Sequence, residues 1–239
     1  MLTAPFKGAG YLFRGIRLIM KPGLRRFVVV PVLINTVLFA AAIGYASGQL
    51  DLLDTWLQSL LPDWLDWLTT LLWPVFVLVA MLVIFYGFTL VANVIAAPFN
   101  GLLSEKVELL LTGQPIESES DWKKLMKDLA PMIFAELRKL LYFVLRAIPA
   151  LIVSIFIPFV WLIFAAWMLA VEYVDYPLGN HGKLFPANID VLRGRRMLGL
   201  GFGGMVSILT LIPVINFITV PAAVAGATAM WVEQLADRD

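Results

Sequence analysis

Cysteine is absent from the 239 residues, and histidine occurs once, at His181. Disulfides, thiolate catalysis and thiolate metal sites are therefore excluded, as is any multi-histidine metal centre. Charge is also scarce: Asp, Glu, Lys and Arg supply 15% of the chain, against about 25% in an average soluble domain. No nucleophile elbow, HExxH, P-loop or paired-carboxylate motif occurs, so neither catalysis nor ATP hydrolysis is expected of this chain. The balance of 18 basic and 17 acidic residues leaves no basic domain standing apart, so nucleic acid is not an expected partner. What is abundant is apolar surface: 61% of residues are hydrophobic. A water-soluble core of this size cannot hide that surplus. The composition is that of an integral membrane protein, and with apolar runs long enough for helical spans an all-α fold is expected, a single membrane domain over residues 1–239.

Four runs lack Asp, Glu, Lys and Arg: 27–50, 67–104, 147–171 and 197–232. Crossing a bilayer takes about 20 apolar residues, so each suffices by count. Proline separates them. In the first two runs Pro31, Pro74 and Pro98 lie toward the ends, where a missing N–H is tolerated. Runs 27–50 and 67–104 are expected as transmembrane helices. Pro149 and Pro158 interrupt 147–171, while Pro213, Asn216 and Pro221 interrupt 197–232. An interior proline removes a backbone bond that lipid cannot replace. These two runs are expected as re-entrant hairpins, breaking at Ile157-Pro158 and at Pro213-Val-Ile-Asn216. Serine-isoleucine pairs precede both breaks (Ser154-Ile155 and Ser207-Ile208), and a tryptophan, a methionine and then Glu172 or Glu233 follow. A degenerate repeat and coincidence both account for this.

Loop charges test the layout through the bias of Lys and Arg toward the cytoplasm. Residues 1–26 hold Lys7, Arg14, Arg17, Lys21, Arg25 and Arg26 with no acid, which puts the N-terminus inside and argues against a cleavable signal peptide. Asp51, Asp54, Asp63 and Asp66 put the next loop outside. Segment 105–146, with seven bases, and segment 172–196, with Lys183, Arg193, Arg195 and Arg196, both favour the inside. Only a dip-and-return path for 147–171 satisfies all four loops. Residues 5–21 carry Lys7, Arg14, Arg17 and Lys21 near one helical face, with Phe6, Leu12, Phe13, Ile16, Ile19 and Met20 around the rest. This is the pattern of an amphipathic interfacial helix. A loop is expected over 112–121, which contains Gly113 and Pro115.

The sharpest local motif is Lys21-Pro-Gly-Leu-Arg-Arg-Phe27. Free N–H groups at a helix start, the backbone access provided by Gly23, and two guanidiniums suit a tetrahedral oxyanion. Anchoring of a span by snorkelling arginines also accounts for Arg25 and Arg26. Sulfate and phosphate are not separated by two arginines, since both present tetrahedral oxygens. Arg193-Gly-Arg-Arg196 is a second basic cluster, read as positive-inside anchoring. Gly199-Leu-Gly-Phe-Gly-Gly204 matches GxGxxG but follows no strand, so close helix packing is expected instead. Glu105, Glu108, Glu136, Arg138, Arg146, Glu172 and Asp175 flank apolar runs, either pairing around a wet path or marking where helices leave lipid. His181 is read as a loop or packing residue.

Several blocks resemble the CysZ family of bacterial sulfate permeases: residues 22–27, Asn93-Val-Ile-Ala-Ala-Pro-Phe-Asn-Gly-Leu-Leu-Ser-Glu105, Asp175-Tyr-Pro with Asn180-His181, and Gly226-Ala-Thr-Ala-Met-Trp-Val-Glu233. They run in order through nearly the whole chain. The resemblance implies a multi-pass protein of the bacterial inner membrane that takes sulfate into the cytoplasm for assimilation into cysteine. It implies two long transmembrane helices with two hemi-penetrating hairpins, a sulfate site at Gly23, Leu24, Arg25 and Arg26, no cofactor, and homo-oligomers whose protomers pair in opposite orientations. Channel-like or ion-coupled flow is the leading expectation. A non-transporting membrane regulator or assembly partner is the alternative.

Overall fold

The structure is a computed structural model that describes residues 3–49, 52, 55–56, 59, 66–115 and 122–236. Asp51, Asp54 and Asp63 of the expected outer loop, and residues 116–121 of the expected 112–121 loop, lie outside the described residues. Every regular element described is helical: α1 Ala4–Ile19, α2 Arg26–Gly48, α3 Asp66–Thr112, α4 Trp122–Ser154, α5 Phe159–Asn180, α6 Ala187–Arg193, α7 Arg196–Thr210 and α8 Pro213–Met230, then one π-helical turn, Trp231–Leu235. The chain divides into two compact units, Val29–Pro98 and the remainder.

Unit Val29–Pro98 holds most of α2 and the first part of α3. Helix α2 has 23 residues and a mean hydropathy of 2.4, with almost none of that surface buried. Val29, Leu33, Val37, Ile43 and Tyr45 all lie open on it. Apolar side chains exposed all round a helix require a non-aqueous surrounding. Helix α3 runs unbroken for 47 residues through Pro74 and Pro98. Pro98 was expected near its end, yet the helix continues to Thr112 and closes on Gly113, whose φ of +73° suits glycine.

The second unit carries the core. Helix α1 packs on α7 and α8, α5 packs on α7 and α8, and α4 lies against α5. Leu12, Leu103, Val107, Val171, Val174, Leu178, Phe202, Val206, Val224 and Met230 are sealed inside. Helices approach so closely that a methyl on Gly203 would overlap the Ala166 carbonyl, and one on Gly15 would overlap that of Ala222. The 199–204 glycine run thus sits in the middle of a helix, as backbone-to-backbone packing and not as a nucleotide loop. Gly203→Ala is expected to destabilise the protein by about 1–3 kcal/mol through overpacking. The check is thermal unfolding in detergent beside Gly44→Ala, where nothing lies near the added methyl.

The proline readings need two corrections. Helix α4 passes straight through Pro149 and breaks only after Ser154, with α5 starting just past Pro158. Likewise Asn216 and Pro221 lie inside α8, and Pro213 is its first residue. A proline at a first turn lacks only an N–H that had no partner, so Pro158 and Pro213 mark starts whereas the neighbouring prolines are absorbed. The arms of the first helix pair reach well beyond the charge-free run 147–171, to Trp122 and Asn180. The two pairs have arms of 33 and 22 residues against 15 and 18, so arm length shows no repeat.

Helix α1 also differs in detail from a simple two-faced helix. Leu12 and Ile19, counted among its lipid-facing residues, are buried against the protein, together with Gly8, Tyr11, Gly15 and Leu18. Phe6, Phe13 and Met20 form the exposed apolar stripe that remains, beside the basic flank.

Candidate functional site

The turn between α1 and α2 is built by three residue types in sequence. Pro22 ends the first helix, Gly23 takes a φ of +88° that an L side chain resists, and Leu24 inserts into the core. The Leu24 N–H donates to the Lys21 carbonyl at 3.2 Å, and Lys21 N–H donates to Leu18 at 2.9 Å. With Leu24 and Phe27 buried on either side, Arg25 and Arg26 are held outward and exposed. The Arg25 Nε donates to the Met20 carbonyl at 2.6 Å, which fixes that guanidinium across the turn. Arg26 stacks over Phe27, 4.9 Å from the ring centre.

Nothing stands within 4 Å of where a Gly23 side chain would begin. Among the described residues, no carboxylate pairs with Arg25 or Arg26, and no backbone carbonyl accepts from the N–H groups of Gly23, Arg25 or Arg26. The arrangement offers two positive charges and free backbone donors on one rigid turn. An oxyanion meets charge-assisted donors there at little conformational cost.

Other charges pair more thoroughly than their positions along the chain suggest. Glu136, Glu172 and Asp175 converge on Lys139, whose ammonium lies 3.0, 3.3 and 2.6 Å from their oxygens. The lysine side chain is only 8% exposed, and Asn188 donates to the second Asp175 oxygen at 3.1 Å. Burial pulls the Lys139 pKa down, but Glu172 and Asp175 outweigh it and hold the ammonium charged well above the usual lysine range. Lys139 was not singled out from the sequence, although Glu136 and Lys139 are spaced i, i+3 on one helix face, as are Glu172 and Asp175.

His181 is a pairing residue as well as a packing one. Its Nε2 meets Glu108 Oε1 at 2.7 Å, while the buried Oε2 of Glu108 has no hydrogen-bond partner. Arg14 makes a two-pronged pair with Glu233, which also accepts from the Tyr11 hydroxyl at 3.1 Å. Burial, then the charge of Glu233, pushes the Tyr11 pKa up to about 12, so this hydroxyl remains a donor throughout the neutral range. Lys7 and Arg195 both donate to Gln234 Oε1, at 2.9 and 3.1 Å. Glu105 pairs with its neighbour Lys106, whereas Arg138 and Arg146 lie over Phe134 and Tyr142 and have no carboxylate partner among the described residues.

The separate sequence blocks at 93–105, 175–181 and 226–233 meet in space. Ser104 and Thr228 share a buried hydrogen bond of 2.9 Å, Asn100 donates to the Tyr176 hydroxyl at 3.4 Å, and Asn180 donates to the Gly101 carbonyl at 3.2 Å. These polar residues join the ends of α3, α5 and α8 inside an otherwise apolar core, where each needs its partner.

Residues 11–221 match the family described as "Sulfate transporter CysZ/Etoposide-induced protein 2.4". A sulfate transporter CysZ from Pseudomonas paraeruginosa is 44% identical over 95% of this chain and 95% of its own length. One from Pseudomonas aeruginosa is 42% identical over 97% and 96%, and one from Pseudomonas fluorescens 44% over 98% and 96%. With both the family match and full-length identity above 40%, the chain belongs to the CysZ/etoposide-induced protein 2.4 family.

Proposed function

We propose that this chain transports sulfate across the bacterial inner membrane into the cytoplasm, without catalysing a reaction and without consuming ATP. The observation that carries the reading is the full-length identity to proteins named sulfate transporter CysZ. The open turn at Gly23, Leu24, Arg25 and Arg26 supports it, since a dianion finds there two guanidiniums with no carboxylate partner among the described residues. Those four residues are the sulfate-capture site of the proposal. Capture must stay weak enough for release, and exposed single-turn donors suit that better than an enclosed cage. Flow is channel-like or coupled to another ion, and the sulfate delivered serves cysteine synthesis.

In this reading α2 and α3 cross the bilayer, while the pairs α4–α5 and α7–α8 dip in and return. Helix α5 has the length of a crossing, with 22 residues and a mean hydropathy of 1.5, but a third of that stretch is buried against protein. A full crossing would also leave Arg193, Arg195 and Arg196 on the outer side, against the positive-inside bias. Helix α1 lies along the interface, its Phe6, Phe13 and Met20 stripe in the lipid and its bases at the headgroups. Further copies of the chain complete the conduction path, some of them inverted in the membrane.

The test is labelled-sulfate uptake into liposomes containing only this protein, with no ATP and with empty liposomes as control. Saturable uptake is the expected result. No uptake from folded, lipid-inserted protein would overturn the proposal and leave a non-transporting regulator in its place.

A further inference from the structure

The Arg193-Gly-Arg-Arg196 cluster has no task in sulfate capture at the α1–α2 turn, and the structure splits it. Arg195 turns to Gln234, whereas Arg193 and Arg196 line an open cleft of about 660 Å³ together with Arg146 of α4. The cleft is walled by α4, α5, α6 and α7 and by Phe185 before α6. It shares no residue with the 22–27 turn.

Arg146 is held in place by a relay of aromatic contacts. Its guanidinium lies 3.6 Å from the centre of the Tyr142 ring, whose edge meets Phe185 at 5.6 Å. The Tyr142 hydroxyl accepts a hydrogen bond from Trp167 Nε1 at 3.1 Å. Stacking occupies the flat face of a guanidinium and leaves its in-plane N–H groups available to a ligand. Among the described residues the cleft's one carboxylate is Asp190, 3.6 Å from Arg193 with both side chains well exposed. Such a pair neutralises little, and among the described residues Arg146 and Arg196 have no carboxylate partner. Among the described residues, three guanidiniums against one carboxylate leave the cleft positive.

We propose that this cleft is a second oxyanion site, taking a tetrahedral sulfate or phosphate group between Arg146 and Arg196, with Arg193 at the rim. Fork-shaped donors contributed by two different helices can each match two oxygens of such a group. The volume exceeds that of a single free oxyanion, and Ile163 and Leu200 supply an apolar wall for whatever the group is attached to. Two sources carry this chemistry: a free inorganic anion, and the phosphate of an anionic lipid headgroup.

The experiment uses the full chain in an Arg25→Ala/Arg26→Ala background, so that its outcome is independent of the turn site. One arm measures equilibrium binding of labelled sulfate in detergent. The other measures preference for spin-labelled phosphatidylglycerol over spin-labelled phosphatidylcholine in phosphatidylcholine vesicles. Adding Arg146→Gln and Arg196→Gln is expected to weaken one of these roughly tenfold or more, the size of losing charge-assisted hydrogen bonds. A loss in the first arm identifies a free anion, and a loss in the second identifies a headgroup. Both positions are exposed, and Lys at both should recover part of the binding in a folded protein. Arg138→Gln, on α4 but outside the cleft, should change neither arm. Unchanged behaviour in both arms, or an equal loss from Arg138→Gln, overturns the proposal.

Discussion

Replacing Arg25 and Arg26 together by alanine is expected to abolish measurable sulfate binding at the turn, a loss of at least a hundredfold in affinity. Each guanidinium that contacts an anion contributes about 1.5–3 kcal/mol through charge-assisted hydrogen bonds, and each 1.4 kcal/mol is about tenfold. Both side chains are exposed, and Arg26 touches the core only by stacking on the Phe27 ring, so the double variant should fold. Arg25 does donate to the Met20 carbonyl, but that carbonyl borders an exposed turn and water replaces the lost donor. Lysine at both positions retains charge without the planar fork and should recover binding only partly. Isothermal titration of sulfate into well-folded variant protein is the check. Affinity equal to that of the unmodified chain removes the two arginines from capture.

Replacing Lys139 by methionine is expected to cost about 3 kcal/mol of stability. Methionine keeps most of the stem's volume, so the loss isolates the ammonium. Taking one partner from a buried ion pair strands the other charge, which typically costs about 3–5 kcal/mol. The lower end applies because Glu136 and Glu172 are 64% and 43% exposed and can turn to water, whereas Asp175 is only 21% exposed. Adding Asp175→Asn should restore part of the loss, because the stranded charge disappears while the hydrogen bond from Asn188 has a surviving acceptor. A double-mutant cycle on thermal unfolding reads the coupling directly; additive effects of the two changes would contradict a direct pair. The pH dependence has a definite sign. Lys139 is raised above its ordinary value of 10.5, so its stabilisation is fully present below about pH 10.5 and lost only as pH climbs through the folded-state pKa. Acidifying from neutrality leaves the lysine charged, and any acid loss must come from its carboxylate partners.

The two substitutions separate roles that look alike along the chain. Arg25-Arg26 and Lys139 are all basic residues near apolar runs. The arginines remain without a carboxylate among the described residues and face outward, as a capture site requires. The lysine is enclosed by three carboxylates and holds α4 to α5, as a structural tie requires. Exposure and partner count, not residue type, separate the proposed capture site from the structural tie.

Membrane character followed from composition, because apolar surface in excess of what a core can bury is a property of the whole chain, and the helical class followed from the length of its apolar runs. Helix breaks near Pro158 and Pro213 were legible for a related reason: a proline that starts a helix leaves a local signature, the loss of one N–H. Position within the helix was not legible, so Pro149 and Pro221 looked like breaks and proved to be interior residues. The Gly23 turn could also be read locally, since a left-handed residue between two helices calls for glycine. Side-chain pairing was decided only in three dimensions. Glu108 and His181 lie 73 residues apart, Lys139 and Asp175 lie 36 apart, and nothing in their immediate neighbourhoods announces the meeting. The same holds for Arg193, Arg195 and Arg196, one basic cluster along the chain that the fold sends in two directions. Periodicity and punctuation are short-range properties of a helix, whereas which helix faces which depends on close packing at positions such as Gly15 and Gly203, and with it the partner of a charge on another helix.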